Sequence, residues 1–231
     1  MLFDRRWLAP GVAVAVLAIT ALFGAVVDPA YADHLLAENG PVEVASAVLH
    51  VVAAGMALIL WRKFGGLAGA LAVTEVLMAL REVDAHKAFT HFGVFTTRLY
   101  ARPDVPMIEK VLAATAVLAI VVLVAASFWA SRREILDLFH RRAPAFYGLA
   151  TMPVVIVTLK EIDGLPRMLA RVGVLLSERA DAISHSVEEL GEMALPLLTM
   201  ALLVQIARSG APRPVASAPV APHGAEPHPT A

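Results

Sequence analysis

Six stretches of the chain run apolar for about the length that carries a helix across a bilayer core of roughly 30 Å: residues 8–27, 43–61, 64–83, 108–130, 144–162 and 188–207. Prolines, glycines and charged residues gather between them. The stretches 64–83 and 144–162 have shorter clean apolar centres, and reach spanning length only with polar residues at their ends. The pattern therefore predicts an all-α, polytopic helical membrane domain over 1–208 with about six transmembrane helices. Residues 209–231 hold six of the fifteen prolines and no apolar period, which predicts a disordered cytoplasmic tail.

The basic residues orient the helices. With the amino terminus inside, Arg5 and Arg6, Arg62 and Lys63, Arg132, Arg133, Arg141 and Arg142, and Arg208 and Arg213 all fall on the cytoplasmic side. Both termini are then cytoplasmic. The other side receives an acidic segment with Asp28, Asp33, Glu38 and Glu43, and the connections 85–107 and 164–187. Those connections exceed twenty residues each, long enough to predict helical or membrane-lying structure in them. A second reading of the amino terminus stays open: Ala30-Tyr31-Ala32 has the form of a signal-peptidase site, with cleavage after Ala32.

Composition narrows the function classes. Hydrophobic residues make up 58% and charged residues 17%, against about 25% charged in ordinary soluble domains. The formal net charge of -1 offers nucleic acid no electrostatic purchase, so no nucleic-acid partner is expected. With no cysteine there is no disulfide framework and no thiolate metal site. The lipid bilayer is the expected partner, with a protein partner or a homo-oligomer also compatible.

Leu80-Arg81-Glu82-Val83-Asp84 and Leu159-Lys160-Glu161-Ile162-Asp163 share the pattern L-[RK]-E-[VI]-D at an offset of 79. Asp84 to Glu109 and Asp163 to Glu188 are both 25 residues, so the spacing suggests an internal duplication of a helical hairpin.

Charged groups at bilayer depth cost about 2.5–3.5 kcal/mol each, so those retained there mark candidate sites. Glu43, Ser46 and His50 share one face of the second helix, and Glu75 shares a face of the third with Glu82. At 1.5 Å per residue His50 and Glu75 reach the same depth, roughly 11–12 Å below the outer surface. Glu192 is expected at depth with them, and Arg81, Asp84, Lys160, Glu161, Asp163 and Glu188 complete an outward-facing rim. Such a site suits binding or conduction of a small solute, an ion or a proton. The competing interpretation is an ion-pair network that only fixes helix packing, as in a non-catalytic assembly subunit.

Four histidines, His50, His86, His91 and His185, fall on the same outer side, and imidazole with carboxylate is a zinc ligand set. No H-x-x-x-H or H-E-x-x-H spacing accompanies them. The segment Ser46-Ala47-Val48-Leu49-His50 resembles the S-x-x-x-H element of the alkaline ceramidase and adiponectin-receptor superfamily. That resemblance implies a zinc-dependent membrane hydrolase acting on lipid, with His50 as a ligand, although the superfamily's late H-x-x-x-H pair has no counterpart here. A broader likeness, through Glu38-Asn39-Gly40-Pro41-Val42-Glu43, residues Leu80 to Thr90 and Val187-Glu188-Glu189-Leu190, is to bacterial multi-pass inner-membrane proteins with no established activity. It implies a bacterial inner-membrane location and supplies no mechanism.

Overall fold

The computed structural model describes residues 5–37, 40–85, 87–88 and 90–209, and the expected tail lies outside them from residue 210. Among the described residues the chain is all-helical. Ten helices follow a short 3-10 turn at Arg5–Trp7: α1 (Leu8–Val26), α2 (Pro29–Leu35), α3 (Pro41–Phe64), α4 (Gly66–Glu82), α5 (Thr97–Ala101), α6 (Met107–Ala130), α7 (Arg132–His140), α8 (Pro144–Arg171), α9 (Glu178–Glu192) and α10 (Ala194–Ser209). Four of them, α1, α3, α6 and α8, are long and apolar enough to cross a membrane. A fifth crossing results if α9 and α10, bent by about 40°, form one broken span.

The third expected span differs in extent. Gly65 sits at φ 89, a left-handed value that suits glycine, and ends α3 so that α4 starts only at Gly66. With 17 residues α4 is about 25 Å long, slightly short of the hydrocarbon thickness. Its first N–H groups have a remote cap. Glu134 of α7 accepts from Gly66 N at 2.7 Å and from Leu67 N at 2.8 Å. A carboxylate at a helix N-terminus meets both the orphan donors and the positive end of the dipole. The same contact ties the α6–α7 junction to the α3–α4 turn.

Prolines set the other differences. The expected fifth span continues to Arg171 and takes in Pro166, whose missing N–H frees the carbonyl of Ile162. Ser184 Oγ of α9 donates to that carbonyl at 3.1 Å, so the longer helix is satisfied from its neighbour. Conversely, Pro196 has no N–H for the carbonyl of Glu192, and the expected sixth span is divided at Met193 into α9 and α10. The two copies of L-[RK]-E-[VI]-D consequently end differently. The first closes α4, with Asp84 at φ 52, while the second lies inside the continuous α8.

Side-chain packing joins these helices around two apolar clusters. Ala57, Phe64, Leu67, Leu71, Leu202, Leu203 and Ile206 form the one nearer the α3–α4 turn. Ala9, Ala13, Val155, Leu159, Val187 and Leu198 form the other, between α1, α8, α9 and α10. Small residues let the helices approach closely: a Cβ on Gly24 of α1 would lie 2.7 Å from Ile183 Cα of α9. Arg179 of α9 donates to the Val27 carbonyl at 2.8 Å and closes the C-terminus of α1. By contrast, α6 stands at the edge of the bundle with Ala113 as its buried residue.

A candidate polar vestibule over a buried histidine and glutamate

The start of α3, the end of α4 and the end of α9 meet at one end of the bundle, and their polar ends leave a cavity of about 280 Å³. Glu43 and Ser46 line it from α3, Arg81, Glu82 and Asp84 from α4 and its C-terminal turn, Lys160 from α8, and Glu188, Glu189 and Glu192 from α9. Of the residues the sequence pattern assigned to the rim, Arg81, Asp84, Lys160 and Glu188 line this cavity, and Glu161 and Asp163 do not. Glu161 is exposed on α8, and Asp163 lines a neighbouring polar cavity with Arg167, Ser184 and His185. Glu188 borders both cavities.

Ion pairs organise the rim. Arg81 Nη2 donates to Glu192 Oε1 at 2.7 Å and to Oε2 at 2.9 Å, linking α4 to α9. Lys87 pairs with Asp84 at 2.9 Å, and Asp163 receives both Lys160 at 2.9 Å and Arg167 at 2.7 Å. Glu192 is therefore not at the depth of His50 and Glu75. The break at Met193 leaves it as the last residue of α9, partly exposed and paired with Arg81. Exposed pairs of this kind contribute about 0–1 kcal/mol each, so they position side chains more than they hold the fold.

One turn below Ser46 on the same face of α3 lies His50, fully buried. Its Nδ1 meets Glu75 Oε2 at 2.6 Å, and Glu75 is itself 2% exposed. The match of depth between the two helices thus produces a direct contact. The other carboxylate oxygen, Oε1, accepts from Thr199 Oγ1 of α10 at 2.5 Å. Three helices contribute one polar group each, and Leu198, Leu202 and Leu203, on α10 with Thr199, are fully buried. An ionised Glu75 accepts from Thr199 and from a protonated Nδ1, which leaves the lone pair of His50 on Nε2. That Nε2 is buried and has no hydrogen-bond partner among the described residues. An orphaned polar atom at such a place costs about 1–3 kcal/mol and calls for a water, an ion or a proton.

The three described candidate zinc histidines, His50, His91 and His185, do not come together. His50 is held by Glu75, His91 pairs with Glu109 at 2.7 Å beyond the start of α6, and His185 lies by the second cavity. His86 lies outside the described residues. Among the described residues, the group of three with ligand atoms within 4.8 Å of one another is His185, Glu188 and Glu189. His50 belongs to no such group, so among the described residues no three-ligand set forms around it for the zinc site that the S-x-x-x-H resemblance implies. Thr199 is the member of this buried polar cluster that the sequence pattern missed. Away from the vestibule, Arg102 donates through Nε to Asp104 at 2.9 Å and holds that carboxyl below the usual carboxylate range.

No protein-family model matches this chain, and neither the curated proteins nor the solved structures contain a significant match.

Proposed function

We propose that this chain is a multi-pass protein of a bacterial inner membrane that takes up protons or a small cation from the outside through the vestibule and passes them to His50. In this reading the chain crosses six times, with α4 as a short crossing and α9–α10 as a broken one, and both termini are cytoplasmic. The carrying observation is the buried contact of His50 Nδ1 with Glu75, backed by Thr199, beneath an open polar cavity. A proton arriving at His50 Nε2 would create an imidazolium already facing a carboxylate, which removes the main cost of a charge at that depth. The vestibule carboxylates Glu43, Glu82, Glu188 and Glu189 would concentrate cations at its mouth. Below Glu75 the leucines of α10 close the way, as expected of a gate that opens only in a second conformation.

The basic residues at the helix ends support this orientation. Arg62 and Lys63 close α3, Arg132 and Arg133 follow α6, and Arg208 lies in the last turn of α10. These basic groups favour the cytoplasmic side. The cysteine-free chain allows a direct test: Glu189→Cys should react with a membrane-impermeant thiol reagent in intact spheroplasts, and Arg208→Cys only after lysis. The reverse result overturns the orientation. For the function, purified protein in liposomes carrying a pH-sensitive dye should admit protons under an imposed potential. Glu75→Gln should abolish the uptake, and unchanged uptake rejects the proposal. A zinc-dependent lipid hydrolase gains no support from the dispersed histidines, and a purely structural assembly subunit is the reading that an inactive wild type would favour.

A further inference from the structure

At the opposite end from the vestibule, α3, α4 and α6 border an apolar cleft of about 480 Å³. Its walls include Trp61 of α3, Gly69, Val73 and Leu77 of α4, and Leu123 and Ser127 of α6. Glycine at 69 makes room for the Trp61 indole, because a Cβ there would lie 2.9 Å from Nε1. The cleft runs from Gly66 and Ser131, at the α3–α4 turn, up to Leu77. Eleven residues of helix correspond to about 16 Å, close to the roughly 15 Å hydrocarbon depth of one leaflet.

The volume spread over that length gives a mean cross-section of about 30 Å². A slot this narrow and one leaflet long seats a single extended chain lengthwise, as an acyl chain of the adjoining leaflet lies. Charge surrounds the shallow end. Arg62 and Lys63 lie just before Phe64 and Gly65, and Arg132 and Arg133 immediately follow Ser131. The Glu134 cap on Gly66 brings those two segments to one junction. All four cations are exposed and none is ion-paired among the described residues, while Arg132 Nη1 donates to the Trp129 carbonyl at 2.9 Å. Trp61 and Trp129 are also exposed at this level, where indoles favour the boundary between headgroups and hydrocarbon.

We propose that this cleft binds an anionic glycerophospholipid, with one acyl chain between Trp61 and α6 and the phosphate among Arg62, Lys63, Arg132 and Arg133. An apolar slot one leaflet deep selects the chain, and the cations at its mouth, which no carboxylate neutralises, select the headgroup charge. The site is separate from the vestibule, and its test does not depend on proton uptake.

Trp61 reports on the cleft once the other two tryptophans are replaced, in Trp7→Phe/Trp129→Phe. Reconstituted in nanodiscs of zwitterionic lipid, this protein should be quenched by chain-brominated phosphatidylglycerol at about one tenth of the mole fraction needed with brominated phosphatidylcholine. Adding Arg62→Gln and Arg132→Gln should bring the two lipids close to parity, and Val73→Phe should reduce quenching by both. The two glutamine substitutions lie on the surface, so they keep the test informative if Val73→Phe fails to fold. Equal quenching by the two lipids in the unsubstituted cleft, or an anionic preference unchanged by the glutamines, overturns the proposal. A cleft closed by dimerisation would show no quenching by either lipid and a doubled mass, which overturns it as well.

Discussion

His50→Leu is expected to destabilise the protein by about 3–5 kcal/mol, because it leaves the Glu75 carboxylate buried with only Thr199 for a partner. Glu75→Leu should cost less, about 1–3 kcal/mol, since a neutral imidazole survives burial with an unpaired nitrogen better than a carboxylate survives without a cation. The double substitution removes both groups, so its loss should fall well below the sum of the single losses. Thr199→Val breaks one neutral hydroxyl contact, and hydrogen bonds between membrane helices average about 0.6 kcal/mol with a maximum near 1.7. The order His50→Leu, Glu75→Leu, Thr199→Val therefore follows from what each change leaves buried, not from how many contacts it removes. Unfolding in detergent by a graded denaturant measures all four proteins. Simple additivity of the two leucine substitutions would show that the folded protein lacks the contact. The same series separates stability from function: Thr199→Val should remain folded yet slow proton uptake, because the hydroxyl fixes which carboxylate oxygen faces His50.

The pairing of His50 with Glu75 was legible in the sequence because helical rise alone places both residues at one depth on adjacent helices. Thr199 was not. In Leu197-Leu198-Thr199-Met200 it is a lone hydroxyl in an apolar helix, and such residues usually bond their own backbone, as Thr74, Thr151 and Thr158 do here. Only the approach of α10 to α4 turns its hydroxyl toward Glu75. The depth of Glu192 was misjudged for a related reason. The stretch 188–207 has the length of one span, but Pro196 removes a backbone donor and the chain bends at Met193. A proline can also be absorbed, as Pro166 is, when a neighbouring helix brings a hydroxyl to the freed carbonyl. Which outcome occurs depends on Ser184, eighteen residues further along, so the local pattern around either proline does not decide it. The rim residues were found as a group because they share charge and position. Their division between two cavities depends on the turn of α8 past Lys160, which follows from the helix continuing through Asp163.

Gly24→Val should impair the vestibule from the opposite side of α9. The added Cβ would meet Ile183 Cα at 2.7 Å, Ser186 Oγ at 2.9 Å and the Ala182 carbonyl at 3.0 Å. Two of those three atoms are backbone, so no rotamer change relieves the contact and α1 must move away from α9. Overpacking of this kind costs typically about 1–3 kcal/mol. The displacement has a functional consequence because α9 carries Glu188, Glu189 and Glu192, and Arg179 on the same helix caps α1. Shifting α9 alters the reach between Glu192 and Arg81, whereas the contact of His50 with Glu75, made between α3 and α4, stays intact. Proton uptake by Gly24→Val should then fall while the buried pair still resists unfolding, a combination that His50→Leu cannot produce. Gly11→Ala is the matched control. No atom lies within 4 Å of a Cβ at that position, and alanine is a better helix former by roughly 0.5–1 kcal/mol. That substitution should leave uptake unchanged and raise stability slightly. If Gly24→Val behaves like Gly11→Ala, then α1 does not pack on α9 through Gly24, and the vestibule's geometry does not depend on the first helix.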